Sequence, residues 1–338
     1  MPFTDFDFDP IYRSHADYDP ELWRTIYAVH QRYLEDLAEA ELNTRYEAIL
    51  RNKASFASLE HVNHRPHNDS SSFWYWVRRE EEIAEEFRIR GLALPVIALG
   101  IPPSLRGLVP PVVRRSLRDS GMIARFAEDC WLRHAFEKGQ FRIKHARGFR
   151  DSGLNDAQRD DELTASTFSP ARAIRIQAAD GRTLKPEGKF TYQRNYGGDA
   201  YVLCAATEFD PWLFHYFKCD ACMVIEDVEE LRLRLDAAFA AKQRGFAQAE
   251  FRVGYIDEHN PNAVIGKNDD ARTVPTYRPL ATKSLRYALQ KEFRFLWYST
   301  GAASPTAPNH IDVETGSLRD IAKYYRLDPS TGALVQVS

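Results

Sequence analysis

The sequence predicts an α+β fold, with a mainly helical N-terminal third followed by a mixed or antiparallel β-sheet with flanking helices. Three observations lead there. Up to about residue 125, apolar positions recur at helical spacing. From about Trp131 the texture changes to short apolar runs bounded by Gly, Pro and Asp, of which A-Y-V-L-C-A-A (Ala200–Ala206) is the best buried strand. Late in the chain R-Y-A-L-Q-K-E-F-R-F-L-W-Y alternates in its second half. Phe293, Phe295 and Trp297 point to one side of a strand, and Glu292, Arg294 and Leu296 to the other.

The elements follow in order. Residues 1–19 read as an irregular arm. Asp19-Pro20-Glu21 is an N-cap with proline in the first turn, starting a helix that runs to about Leu50. H-V-N-H-R-P-H-N-D-S-S-S is a polar loop. His61, His64 and His67 are three apart, but Pro66 interrupts any helix that would align them on a metal. Ser72 caps a second helix ending at Gly91. A Pro-rich apolar segment and helical patterns at Leu108–Leu117 and Met122–Phe136 complete the first region, which we bound at 1–125, against 126–338 for the α+β region. Lys138-Gly139 closes a helix before a strand at Phe141–Ile143. A polar stretch with Asn155, Asp160, Asp161 and Glu162 follows, then strands at 171–177 and 188–193 around an Ala179-Asp180-Gly181 turn. After Ala200–Ala206 come a short helix from Asp210-Pro211, a strand at Ala221–Ile225 and an amphipathic helix at Asp227–Ala241. Strands at Phe251–Ile256 and Phe293–Tyr298 close the sheet, and Ile311 and Val313 add one in the tail.

Composition bounds the function. The 338 residues are 44% hydrophobic and can bury a large core, and a net charge of -3 offers no global attraction to nucleic acid or membrane. The longest apolar run, Leu92–Ile101, contains Pro95 and falls far short of the roughly 20 residues of a membrane span. The acidic start lacks a secretory signal. A cytoplasmic protein without a membrane partner is the expectation. The four cysteines are expected to be reduced. Cys219-Asp-Ala-Cys222 has no second pair to complete a zinc site, and Cys130 and Cys204 lie in apolar surroundings that leave a thiol inert.

No phosphate-cradling glycine loop, G-x-S-x-G or H-E-x-x-H occurs. Two carboxylate readings remain. Asp160 and Glu162 with Glu292, and a lysine such as Lys283 or Lys291, would suit a metal-dependent nuclease. Gln290-Lys291-Glu292, entering a late strand, resembles the Gln-x-Glu signature of the ADP-ribosyltransferase superfamily. That resemblance covers about residues 130–300 and implies NAD as substrate, Glu292 stabilising the charged ribose and Gln290 orienting a protein or nucleic-acid acceptor. It also implies Arg142 or His145 on an early strand and Tyr201 on a middle one as NAD contacts, with Arg294 holding Glu292. Where the family carries Ser-Thr-Ser or Tyr on its middle strand, this chain has Tyr201-Val202-Leu203-Cys204-Ala205-Ala206-Thr207, which leaves only Tyr201 or Thr207 for that place. Gln248-Ala249-Glu250-Phe251-Arg252 repeats the pattern as an internal rival. Leu154-Asn155-Asp156, Leu203-Cys204, Asp210-Pro211-Trp212-Leu213-Phe214 and Glu292-Phe293-Arg294 are together similar to uncharacterised bacterial phage-defence and toxin proteins. That second likeness implies a toxin-type effector with a neutralising antitoxin. Two further readings stay open: Glu292 and Arg294, about 6.6–6.8 Å apart along one strand face, as a structural ion pair, and a non-enzymatic sensor working through the helical third.

Overall fold

The computed structural model describes residues 19–57, 73–97, 99, 121–151, 153–154, 157, 159–170, 176–184, 189–259, 264–265, 278–328 and 330–337. The arm, the histidine loop, Ser72, the helix expected at Leu108–Leu117, Asn155 and Asp156 lie outside them.

The first region is helical. Asp19 accepts from the amides of Glu21 and Leu22 and starts α1 (Pro20–Ile26). The helix does not continue to Leu50. It passes through one wider turn and stops at Arg32, whose backbone is left-handed (φ 24°). A second helix, α2 (Glu39–Ala57), takes over, and α3 (Phe73–Ile89) packs against both. Gly91, at φ 67°, ends α3 as expected, with Leu92 N–H returning to the Phe87 carbonyl. Buried acids on α3 tie the region together: Glu86 accepts from the Tyr27 hydroxyl and Glu82 from that of Tyr33, each at 2.6 Å.

The α+β region begins with β1 (Ile123–Ala127), so the boundary drawn at 125 falls inside a strand. Met122–Phe136 is thus not one helix. Its first half pairs over five residues with a later strand, and only α4 (Asp129–Lys138) is helical; a short apolar run does not distinguish strand from helix by periodicity. Gly139 (φ 66°) closes α4, and a side chain there would collide with the main chain of Gly316. Next come β2 (Gln140–His145), β3 (Thr164–Pro170), β4 (Ile176–Gln177), β5 (Thr183–Leu184), β6 (Lys189–Asn195) and β7 (Ala200–Ala206). They are followed by α5 (Trp212–Phe217), β8 (Ala221–Ile225), α6 (Val228–Lys242), β9 (Ala247–Arg252), β10 (Gly254–Ile256), β11 (Val264–Ile265) and β12 (Thr282–Ser284). The chain closes with β13 (Glu292–Tyr298), β14 (His310–Glu314), β15 (Ala322–Leu327) and β16 (Leu334–Val337). The sequence reading missed the last two strands, and merged β9 and β10, which belong to different sheets.

The fold is α+β. Its main sheet is antiparallel and branches at β7. One edge of β7 pairs along its whole length with β13, from Glu292↔Ala206 to Tyr298↔Ala200. The other edge is shared: β2 pairs at Tyr201 and Val202, β1 only at Ala206. Between them the sheet forks.

The alternation expected for β13 holds. Phe295 and Trp297 pack into the core under α4 and α6 with Tyr201, Leu203 and Phe239, while Leu296 faces the opposite side with Val202 and Ala200. Phe239 stacks on Trp297 at 4.9 Å and meets Tyr201 edge-on at 5.7 Å. Phe239→Ala is expected to cost about 3–5 kcal/mol, read as a lower denaturant midpoint with an unchanged m-value.

Candidate functional site

The polar face of β13 is where charge collects. Lys291, in left-handed backbone (φ 45°), breaks the chain between a 3₁₀ turn (Leu285–Gln290) and the strand. Gln290 therefore sits in the turn and not on the strand, contrary to the sequence reading, and Lys291 points away to Glu208 at 2.7 Å. Glu292 begins the strand, its amide donating to the Tyr255 hydroxyl at 2.8 Å.

Four side chains close into a ring. Arg294 Nε donates to Glu292 Oε1 at 2.6 Å, and Lys283 Nζ, from β12, to Glu292 Oε2 at 2.9 Å. Glu162, from the polar stretch, completes the ring against Lys283 Nζ (3.3 Å) and Arg294 Nη2, at ion-pair distance but without hydrogen-bond alignment. Glu292 is 4% exposed and Arg294 fully buried, so the i, i+2 ion pair read from the sequence is present and lies in the interior. Arg294 also donates to the Leu280 carbonyl. Gln290 Oε1 accepts from Lys283 at 3.1 Å, and its amide donates to the Ala157 carbonyl at 2.6 Å. Tyr287 donates to the Arg159 carbonyl at 2.6 Å. These two bonds draw the polar stretch onto the turn and so deliver Glu162.

Electrostatics follows from the geometry. Burial pushes the Glu292 carboxyl up, but Arg294 and Lys283 outweigh it and hold it at about 2. Burial pulls the Lys283 ammonium and the Arg294 guanidinium down, and the two glutamates override it, leaving both well above their usual values. Asp160 is the odd acid. Burial and the neighbouring Glu162 charge raise it to about 6, against the pull of Lys283 and Arg294.

Lys283, Gln290 and Glu292 reach the wall of a cavity of about 1040 Å³ that occupies the fork, lined also by Arg125 on β1, Arg142 on β2 and Cys204 on β7. The chemistry available there is a fixed carboxylate with an amide beside it, within a lining that carries both bases (Arg125, Arg142, Lys144, Lys242) and acids (Glu128, Asp312, Glu314). The other proposed residues divide. Arg142 lines the cavity while paired with Asp312 at 2.9 Å. His145 is buried against Asp199 (3.1 Å), its imidazole held below the usual value by burial, and Tyr201 donates to the Pro308 carbonyl at 3.1 Å; neither is among the lining residues. Arg294 lies behind the wall, supporting Glu292. The rival Glu250 sits on β9 opposite Phe295, 3.9 Å from Arg232, and does not line the cavity.

The nuclease reading loses its donor set, since Lys283 and Arg294 engage two of its three carboxylates and no group of three or more His, Cys, Asp or Glu among the described residues is arranged to hold a metal. Sequence reasoning overlooked Arg125; the signal was a lone cation inside the apolar run I-A-R-F-A.

Fold and site thus define an α+β protein with a charged, buried site at a fork in its sheet. No family model, curated protein or solved structure matches this chain. Among the described residues no helix is long and apolar enough to cross a membrane.

The two displaced acids give opposite pH dependences. Glu292, lowered from 4.5 to about 2, contributes stability that is complete above about 4.5 and lost as pH falls through 2. Asp160, raised from 3.8 to about 6, contributes stability that is present below 3.8 and lost as pH rises through 6. Urea titrations across pH 3.5–6.5 are expected to show the Asp160 slope in the wild type and a flatter profile in Asp160→Asn.

Proposed function

We propose that the protein is an NAD-consuming glycosyl transferase of the ADP-ribosyltransferase type, acting on a protein or nucleic-acid acceptor. The observation that carries this reading is the placement of Glu292, ionised and oriented by Lys283 and Arg294, on the wall of a cavity it shares with Gln290 and Arg142. A carboxylate whose charge and position are fixed beforehand stabilises positive charge developing on a ribose more than it stabilises the neutral ground state. The glycosidic C–N bond breaks, nicotinamide leaves with the electron pair, and the acceptor's nucleophile forms the new bond at the same carbon and gives up its proton. Each Glu292 oxygen keeps acceptor capacity beyond its bond to the ring, which leaves room for a ribose hydroxyl. Gln290, locked between Lys283 and the Ala157 carbonyl, is the acceptor-orienting group. Arg142 is the NAD contact; His145 and Tyr201 support the strands behind it. The toxin-type likeness fits a protein that depletes or transfers from NAD, with its neutralising partner still to be found.

The helical third serves as scaffold in this scheme. Asn52 of α2 donates to the Arg286 carbonyl at 3.3 Å, Ser55 to Asp210, and Arg45 pairs with Asp257 at 2.7 Å, so α2 clamps the turn that carries Gln290.

Incubated with NAD labelled in both halves, the full chain is expected to release nicotinamide and to label a macromolecule from lysate. Glu292→Gln should lower nicotinamide release by about 100-fold or more. Because that change also opens the ring, its folding is checked by circular dichroism. Gln290→Ala should depress transfer more than release. Absence of release, of transfer and of any NAD-induced shift in melting temperature would sink the reading.

A further inference from the structure

On the cavity wall Arg125 belongs to no ion pair among the described residues. Arg125 lies mid-way along β1, with Ala124, Ala205 and Ala206 as small neighbours on the same wall. Its Nη1 donates to the carbonyl of Cys204, the middle one of the three β7 residues left between the β2 and β1 pairings. A guanidinium has five N–H donors, so most of its capacity remains. No carboxylate among the described residues is in ion-pair contact with it, and burial, opposed only by the Cys204 thiol, lowers its pKa. Arg125 is part-buried, and a charge withdrawn from water without a counter-ion is costly. Two other cations on the wall are already neutralised, Arg142 by Asp312 and Lys283 by the glutamates, whereas Lys144 and Lys242 add positive charge to the same cavity.

We propose that Arg125 is the core of an anion-binding site in the sheet fork, which takes the oxyanion of a phosphate or carboxylate group in bidentate geometry. Cys204 sets the distance to the rest of the site. Its carbonyl holds Arg125 and its thiol lies beside Glu292, so a bound anion sits one strand residue away from the fixed carboxylate. A ligand filling both places carries an anionic group close to a centre that is neutral or becomes positive. The site stands on the cavity geometry and does not require NAD.

The test uses the full chain with inorganic phosphate, pyrophosphate and malonate as probes, ionic strength being held constant with chloride so that screening is equal. A saturable rise in melting temperature is expected with at least one of them, phosphates and malonate distinguishing the two sources of oxyanion. Arg125→Met should weaken binding by about tenfold or more, Arg125→Lys should keep part of it, and ligand-free Arg125→Met should melt no lower than the wild type because a part-buried charge without a counter-ion is gone. If Arg125→Met does not fold, Arg125→Lys carries the comparison by calorimetry. No saturable shift with any probe, or a shift that survives in Arg125→Met, would overturn the proposal. A saturable shift with these probes, with no nicotinamide release, no transfer and no NAD-induced shift, keeps the anion site and rejects the NAD reading.

Discussion

Four buried charges hold this molecule's centre together. Glu162, Lys283, Glu292 and Arg294 come from three separate parts of the chain, and each would be intolerable alone in the interior. Closure is what makes the set tolerable: two acids and two bases alternate, so every charge has opposite neighbours on both sides. A buried pair of this kind contributes modestly to stability relative to an apolar substitute, yet removing one member costs about 3–5 kcal/mol. The ring acts as a registration device. It joins the polar stretch, β12 and β13 at one point.

Other contacts serve the same end. Gln290 and Tyr287 staple the polar stretch by its own carbonyls, and Tyr255 fixes the first amide of β13. Asp160, a third acid beside a ring already neutral, is pushed toward its protonated form. The helical third shares a core with this turn through Leu285, Tyr287 and Ala288, which pack against α2 and α3. It is therefore a continuation of the site's support.

The fork supplies the space. Because β7 gives one edge to β13 and splits the other between β1 and β2, the sheet opens at Cys204 without losing its layer. Ionised Glu292 and unpaired Arg125 flank that residue, one past its thiol and one at its carbonyl. A cavity whose largely apolar lining carries a fixed anion and a cation with no ion pair among the described residues suits a ligand with an anionic group.

Local pattern by itself determined the strands and helices whose signals are strong and short: Ala200–Ala206, Trp212–Phe217, Ala221–Ile225, and the two faces of Glu292–Tyr298. It also marked Glu292 and Arg294 as a pair, since residues two apart on a strand share a face. It could not tell β1 from a helix, because I-A-R-F-A fits both periods, nor place Gln290, because the left-handed turn at Lys291 is forced by the packing around it. Tertiary structure alone brought Glu162 and Lys283 to Glu292, separated Glu292 from its copy Glu250, took His145 and Tyr201 off the cavity and exposed Arg125 to it. Those outcomes depend on which strand pairs with which edge of β7, and pairing between distant segments is decided by burial and charge closure in space, which no window of sequence contains.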